Sequence, residues 1–172
     1  MEMRRAGVLL FMLLAAFFAG IPAGAEQPVA VTASAGAFSV LDGGVQSYET
    51  GWELSFAPRP IRWVPRFLHK TNTTLGVMAT SRGTLYVYGG FRYDRPLGKS
   101  WWLSPQWATG LYYRDGGREL GGPLEFRSGI ELSRRLGERS RLGLLLYHLS
   151  NARLYGFNPG GESLVLTYTA RP

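Results

Sequence analysis

The chain of 172 residues contains no cysteine and only two histidines. Without cysteine it has no disulfide and no thiolate ligand, and two histidines alone argue against a zinc centre, so no metal or other cofactor is expected. After Ile21 no uncharged apolar run is long enough for a membrane helix, and no long segment shows the helical period. Helices are therefore not expected to be the main element.

Aromatic residues and glycine, by contrast, are abundant. Nine Tyr, nine Phe and five Trp in a chain without a glycine period exclude a collagen-like protein and argue against disorder. The length fits one domain. The formal net charge of +7 suits nucleic acid, anionic lipid or a phosphorylated glycolipid. Because Lys and Arg are dispersed without a basic run or a recognised motif, no nucleic-acid partner is expected.

The first 25 residues have the three parts of a secretory signal peptide. Arg4 and Arg5 form a basic start, residues 6–21 are apolar and uncharged, and residues 23–25 form an A-x-A cleavage site. An N-terminal membrane anchor is the alternative, for which the apolar run is slightly short. Cleavage after Ala25 would leave residues 26–172 as one exported domain, with a net charge of +6.

Eight later segments alternate in side-chain character and are separated by clusters of Gly, Pro, Asp and Asn, which is typical of strands and turns. The predicted strands are 29–38, 48–56, 74–81, 84–93, 101–113, 124–135, 141–150 and 162–169. The prolines in the connection 57–73 disfavour strand pairing there, and its Trp, Phe and basic residues suit an interfacial segment.

The alternation separates an apolar face from a polar one. Trp101, Leu103 and Trp107 share one face of the fifth strand, whereas Ser104 and Gln106 share the other. In a soluble sandwich or a lipocalin-like barrel the apolar face would point inward, and in a membrane barrel it points to lipid. The export signal and the aromatic residues near strand ends favour the membrane barrel. Those aromatic residues are Trp52, Tyr93, Trp101, Trp102, Tyr112, Tyr113 and Tyr168.

We therefore expect an all-β fold, an eight-stranded antiparallel transmembrane β-barrel of the outer-membrane type. An even number of strands places both ends of the barrel domain on the periplasmic side, so that the loop between the last two strands is external.

Reactive residue types meet at that external loop. His148, Ser150 and Glu162 are the types of a hydrolase triad, in which the histidine takes the serine proton and the acid orients the histidine. Residues two apart on a strand share a face, and with Ser150 opposite Glu162 in the hairpin the carboxylate would lie diagonal to the ring. By parity all three continue the lipid-facing stripes. The alternative is an interfacial histidine with solvated neighbours.

The residues around the loop can serve the same chemistry. The Asn158 side-chain amide is the best donor to a tetrahedral oxyanion, with the N–H of Gly160 or Gly161 as a partner, whereas Pro159 has no N–H. Asn151 is expected to order the loop or support the site. The alternative for Pro159, Gly160 and Gly161 is a turn-forming role only.

With these residues the chain resembles the lipid A 3-O-deacylase family of the PagL type, which are eight-stranded outer-membrane barrels of Gram-negative bacteria. The matching segment is 147–152 with Asn158 and, four residues on, Glu162. The resemblance implies a metal-free serine esterase that removes the 3-hydroxyacyl chain ester-linked at position 3 of lipid A. It implies His148 as base, Ser150 as nucleophile, Glu162 as the acid and Asn158 as an oxyanion donor, and Asn151 matches a further motif position.

The expected partner is thus lipid A, or lipopolysaccharide, in the outer leaflet of a bacterial outer membrane. Arg153 beside the site, and Arg114 or Arg118 in the preceding external loop, are candidates to contact its phosphates, with solvated loop charges as the alternative. Two other functions remain open: a structural or adhesive barrel without catalysis, and a phospholipase that uses the same three groups.

Overall fold

The computed structural model describes residues 29–41, 47–58 and 70–172. The predicted signal peptide and most of the 57–73 connection lie outside these residues. The strands of the described part are β1 (Ala30–Phe38), β2 (Ser47–Phe56), β3 (Asn72–Thr80), β4 (Thr84–Arg92), β5 (Arg95–Leu97), β6 (Trp101–Arg114), β7 (Leu124–Arg135), β8 (Ser140–Ser150) and β9 (Gly161–Ala170).

Each of the eight predicted strands is present, with bounds within two residues of the expected ones. The additional strand, β5, is three residues long and has Pro96 at its centre, so it lacks the alternation by which the others were predicted. No helix in the described part of the chain is long and apolar enough to cross a membrane.

The eight long strands form a closed antiparallel barrel. Apart from β4 and β5, strands that follow each other along the chain pair as hairpins, and β1 pairs with β9. β4 pairs with the later part of β6, and the short β5 pairs with its first residues. The long strands therefore leave no open sheet edge. We call the end where β1 begins and β9 finishes the terminal end, and the end with the β8–β9 loop (residues 151–160) the site end.

Large apolar side chains face outward, as predicted. Trp107, Leu111 and Ile130 are 48%, 66% and 46% exposed, and Glu125 and Glu131, one strand position away from such residues, are fully buried. An apolar outer wall around a charged interior is favourable only in lipid, because in water the apolar side chains would be exposed and the charged ones buried. The prediction of an inverted, outer-membrane type of barrel is confirmed.

Paired charges and tyrosines fill the lumen. The Arg92 guanidinium donates to both carboxylate oxygens of Glu131, at 3.1 and 2.6 Å. Arg127 lies over the rings of Tyr88 and Tyr147, with its carbon 4.6 and 4.2 Å from their centroids. Buried charges need such partners to offset the loss of hydration. The lumen is thus crossed by contacts between side chains of different strands.

Two of the predicted girdle residues are not on the outer wall. Tyr112 is 7% exposed and donates its hydroxyl hydrogen to the carbonyl of Arg118, 2.8 Å away. Trp102 faces the mouth of the lumen at the terminal end, where Arg135 and Arg141 lie over its ring. Both have the inward parity of β6, so proximity to a strand end was a poorer guide than alternation.

Candidate active site

The β8–β9 hairpin places His148 directly opposite Glu162. The predicted register, with Ser150 opposite Glu162, is wrong by two residues. A shift by two leaves every side chain on the same face, so the alternation that located the strands carries no information about it. The observed register brings the histidine and the carboxylate closer than predicted.

A hydrogen bond joins the two side chains. His148 Nδ1 and Glu162 Oε1 are 3.0 Å apart, and the side chains are 43% and 26% exposed on the outward face of the hairpin. Since a carboxylate only accepts, the proton of a neutral ring lies on Nδ1 and the lone pair on Nε2. The arrangement therefore presents a free nitrogen base at the lipid-facing surface.

Ser150 is the last residue of β8 and lies two positions beyond His148 on the same face. It is half-buried and sits opposite Phe126 of β7, whose ring stacks on that of Trp107 at 6.2 Å. Within the described part of the chain, no hydrogen bond joins its hydroxyl to the histidine ring. The structure thus brings His148 and Glu162 into contact and places Ser150 beside them.

Asn151 ties the site to the neighbouring loop. Its fully buried amide nitrogen donates to the carbonyls of Leu120 and Phe157, at 2.6 and 2.9 Å. Its backbone N–H donates to Asn158 Oδ1 at 3.0 Å. The contacts fit the predicted loop-ordering part of Asn151. They also anchor the Asn158 side chain by its oxygen, so that the amide N–H groups are the end left for another acceptor.

Gly160 packs against the histidine. Its φ is +64°, in the left-handed region, and a Cβ at this position would lie 2.6 Å from His148 Cε1 and 3.2 Å from Nε2. Only glycine combines this backbone conformation with so close an approach. The turn thus covers one edge of the ring and limits where the free nitrogen can point.

Arg118, from the loop between β6 and β7, braces this turn. Its Nε donates to the carbonyl of Gly160 and its Nη1 to the hydroxyl oxygen of Ser39, each at 2.7 Å. Because two of its donors are engaged within the protein, Arg118 is better placed to position the turn than to contact a substrate phosphate, as suggested from the sequence. The sequence pattern held no signal for it, because the contact spans 42 positions along the chain.

The other two arginines differ from each other. Arg114 forms an exposed ion pair with Glu119. Arg153, in the left-handed region with φ of +63°, is exposed and has no ion-pair partner within the described ranges. Of the three candidates, Arg153 alone keeps an unengaged cation beside the site. The same ranges contain no cluster of three or more His, Cys, Asp or Glu side chains that could hold a metal ion.

The part of the chain that forms the candidate site matches a known protein family. Residues 114–171 match the family model "Lipid A 3-O-deacylase (PagL)". The match spans about a third of the chain, with β7, β8, β9 and the two loops that build the site, and it includes His148, Ser150 and Glu162. No curated protein sequence matches the chain.

Solved structures show the same fold. The outer membrane enzyme PagL superposes with a TM-score of 0.62 at 20% identity, over 83% of this chain and 99% of that one. Neisserial surface protein A follows with a TM-score of 0.55 at 8% identity, over 83% and 95%. A de novo designed transmembrane β-barrel gives 0.53 at 9%, over 86% and 98%. The resemblance predicted from the motif is thereby confirmed over residues 114–171, and the outer-membrane barrel fold over most of the chain.

Proposed function

We propose that this barrel, which carries the PagL-type match across its last three strands, is an outer-membrane serine esterase. It hydrolyses the ester-linked 3-hydroxyacyl chain at position 3 of lipid A. The observation that carries the proposal is the hydrogen bond between His148 and Glu162 on the lipid-facing side of the site end. A hydrogen-bonded carboxylate and histidine beside a serine are the parts that nucleophilic ester hydrolysis requires.

In the reaction, Ser150 Oγ attacks the ester carbonyl while His148 Nε2 takes the hydroxyl proton. The same nitrogen then returns the proton to the sugar oxygen as it leaves, and the acyl chain remains on the serine. A water molecule, deprotonated by Nε2, attacks the acyl-enzyme and releases the 3-hydroxy fatty acid. Glu162 keeps the ring in the required tautomer and stabilises its charged form. The serine–histidine hydrogen bond is often long in a free enzyme and tightens with substrate.

The tetrahedral intermediate needs hydrogen-bond donors at its oxyanion. The amide N–H of Asn158 serves as one donor, because the oxygen of this amide is held by the backbone of Asn151. The backbone N–H of Gly160 serves as the second. A donor of this kind contributes about 10²–10³ to the rate.

The position of the site on the outer wall selects a membrane lipid as substrate. Leu146 and Leu164 follow the catalytic pair along the same face and are 44% and 40% exposed. An acyl chain can lie along this wall while its ester carbonyl stays at the level of Ser150. A water-soluble ester would gain nothing from such a surface.

The site end carries a cationic side chain that can bind an anionic lipid headgroup. Arg153 is the residue placed to contact a lipid A phosphate, since Arg114 and Arg118 have partners within the protein. With the predicted signal peptide, export to the outer membrane brings the site end to the outer leaflet, where lipid A resides.

The test is mass spectrometry of lipid A after incubation with the purified protein in detergent. We expect the loss of one 3-hydroxyacyl chain, with fragmentation that assigns the loss to position 3. Phosphatidylglycerol and phosphatidylethanolamine are incubated in parallel.

Release of fatty acid from the phospholipids instead of lipid A would identify a phospholipase with the same three groups. A heat-dependent shift in gel mobility shows that the protein is folded. If folded protein cleaves neither lipid A nor the phospholipids, the barrel is structural or adhesive and the proposal fails.

A further inference from the structure

A basic groove lies at the terminal end of the barrel, on the side opposite the catalytic residues. It is lined mainly by Trp102, Arg135, Glu138, Arg139, Arg141 and Arg171, which come from the start of β6, the β7–β8 turn and the residues after β9. Neither the proposed esterase reaction nor the packing of the lumen uses this groove. A separate function is therefore considered for the groove.

Arg141 is the central residue of the groove. Its side chain is only 6% exposed, and Nη2 donates to Asp94 Oδ2 at 2.7 Å. The other nitrogen donors, Nε and Nη1, are buried without an acceptor within the described ranges. The guanidinium lies over the Trp102 ring, 5.1 Å from its centroid, which satisfies its face but not these N–H groups. Buried donors of a charged group are costly to leave unpaired.

The residues around Arg141 also carry an excess of positive charge. Arg135 lies over the same indole ring at 5.0 Å, and Arg171 reaches Asp94 Oδ2 at 3.5 Å. Asp94 is shared further, because Arg92 also donates to it at 2.8 Å. Arg139 is exposed and has no ion-pair partner among the described residues. The groove thus holds more guanidinium groups than carboxylates to pair with them.

Neighbouring cations in the groove disfavour one another's charge. Burial lowers the pKa of Arg171, and the nearby Arg141 lowers it further. A site where one cation disfavours another favours the entry of an anion.

We propose that this groove binds a phosphate group. A phosphate offers several oxygens that can accept from two or three guanidinium groups at once, and the planar fork of arginine suits this geometry. The unpaired donors of Arg141 and the exposed charges of Arg135 and Arg139 supply the hydrogen bonds. With the site end outward, the groove faces the periplasm and the inner leaflet, so the phosphate comes from a phospholipid headgroup or from free phosphate.

The experiment uses the whole barrel, purified in a phosphate-free sugar detergent and titrated by calorimetry. The probes are inorganic phosphate and monomeric dihexanoyl-phosphatidylglycerol. We expect saturable binding at one site per barrel that weakens with added NaCl, because the interaction is partly exposed to ions. Phosphatidylglycerol that binds at least tenfold more tightly than phosphate identifies a lipid headgroup site, and equal affinities identify a site for the phosphate alone.

Charge-matched variants locate the site. Arg135→Gln and Arg139→Gln should each weaken binding about tenfold, since each removes a charge-assisted hydrogen bond. Arg82→Gln removes the same charge from an exposed turn at the site end and should leave the affinity unchanged. Arg141→Gln should weaken binding most, provided that its heat-dependent gel mobility shows a folded barrel.

Absence of saturable binding to both probes would overturn the proposal. Equal weakening by Arg82→Gln and Arg139→Gln would also overturn it, because it would mean attraction by the overall charge. Neither outcome depends on the esterase reaction.

Discussion

The β8–β9 hairpin carries a hydrogen-bonded carboxylate on each of its faces. On the outer face His148 meets Glu162, and on the inner face the next residue pair, Tyr147 and Ser163, meets Glu49 from β2. Tyr147 donates its hydroxyl hydrogen to the two carboxylate oxygens, at 2.7 and 2.8 Å, and Ser163 donates to Oε2 at 2.7 Å. The two clusters consist of similar polar groups, and they differ in whether any of these groups remains accessible to another molecule.

The inner cluster is closed. Glu49 is 2% exposed, and Tyr147 and Ser163 are equally inaccessible, so the cluster stabilises the wall and can bind nothing further. The outer cluster keeps one ring nitrogen and one serine hydroxyl available at a lipid-facing surface. The two clusters therefore differ in whether a nitrogen lone pair and a hydroxyl group stay accessible to a substrate, and this difference is the reason for proposing the outer cluster as the catalytic one.

Substitution of one serine on each face gives the largest contrast. Ser150→Ala removes the nucleophile and should lower deacylation at least about a thousandfold while the barrel stays folded. Ser163→Ala should leave the rate within about threefold but lower the free energy of unfolding by about 1–3 kcal/mol, because the buried Glu49 loses a donor. Mass-spectrometric rates and urea unfolding in lipid vesicles measure the two effects. Retained deacylation by Ser150→Ala would exclude this serine as nucleophile.

The two partners of the outer hydrogen bond should differ in effect. His148→Ala removes the base and should cost about 10³–10⁴ in kcat, whereas Glu162→Ala should cost less, because solvent can partly replace the orienting acid. Tyr147→Phe, on the inner face, serves as the control and should alter stability more than rate. Equal losses of kcat for the His148 and Glu162 variants would contradict the assigned roles.

Two glycines of the β8–β9 loop test whether the contact with the ring matters. Gly160→Ala places a methyl group 2.6 Å from His148 Cε1, and we expect kcat to fall about ten- to a hundredfold as the ring is displaced. Gly156 has a similar φ of +80°, but a Cβ there meets nothing within 4 Å. Gly156→Ala therefore carries the same backbone strain, about 1 kcal/mol, with little effect on rate. A similar rate loss in both would point to the loop backbone and not to the ring contact.

The smallest expected effect is that of the loop arginines. Arg118→Ala should lower kcat about tenfold with KM nearly unchanged, because it releases the carbonyl of Gly160 and loosens the turn against His148. Arg118→Lys should restore part of the rate. Arg114→Ala breaks only an exposed ion pair with Glu119, which is worth about 0–1 kcal/mol, and should change neither constant. A rise in KM alone for Arg118→Ala would indicate substrate binding instead of positioning.

The pattern of alternation was sufficient for the strands and their faces. In β6, Ser104 was assigned to the side opposite Trp101 and Trp107, and the burial of Ser104 and the exposure of the two tryptophans agree. This succeeds because side-chain direction in a strand repeats every second residue and depends on the local backbone alone. Trp102 and Tyr112 were misplaced where strand-end position was given more weight than parity.

The register and the loop contacts were beyond the reach of such a pattern. The pairing of His148 with Glu162 and the predicted pairing of Ser150 with Glu162 put the same side chains on the same face. Arg118 was identified as a candidate, but for a phosphate contact, because nothing local relates it to Gly160. Its contact depends on how two loops meet after the barrel has closed.

The sequence by itself determined the number of long strands, the face of nearly every strand residue and the hairpin in which His148, Ser150 and Glu162 occur. These follow from the local geometry of an extended chain. Only the tertiary structure decided that His148 lies opposite Glu162, that Gly160 and Arg118 hold the ring in place, and that the arginines at the terminal end converge on one groove. The hairpin register escapes the sequence pattern because a shift by two residues keeps every side chain on its face. The contact of Arg118 with Gly160 and the groove of arginines join residues of different loops and strands, which meet only in the folded barrel.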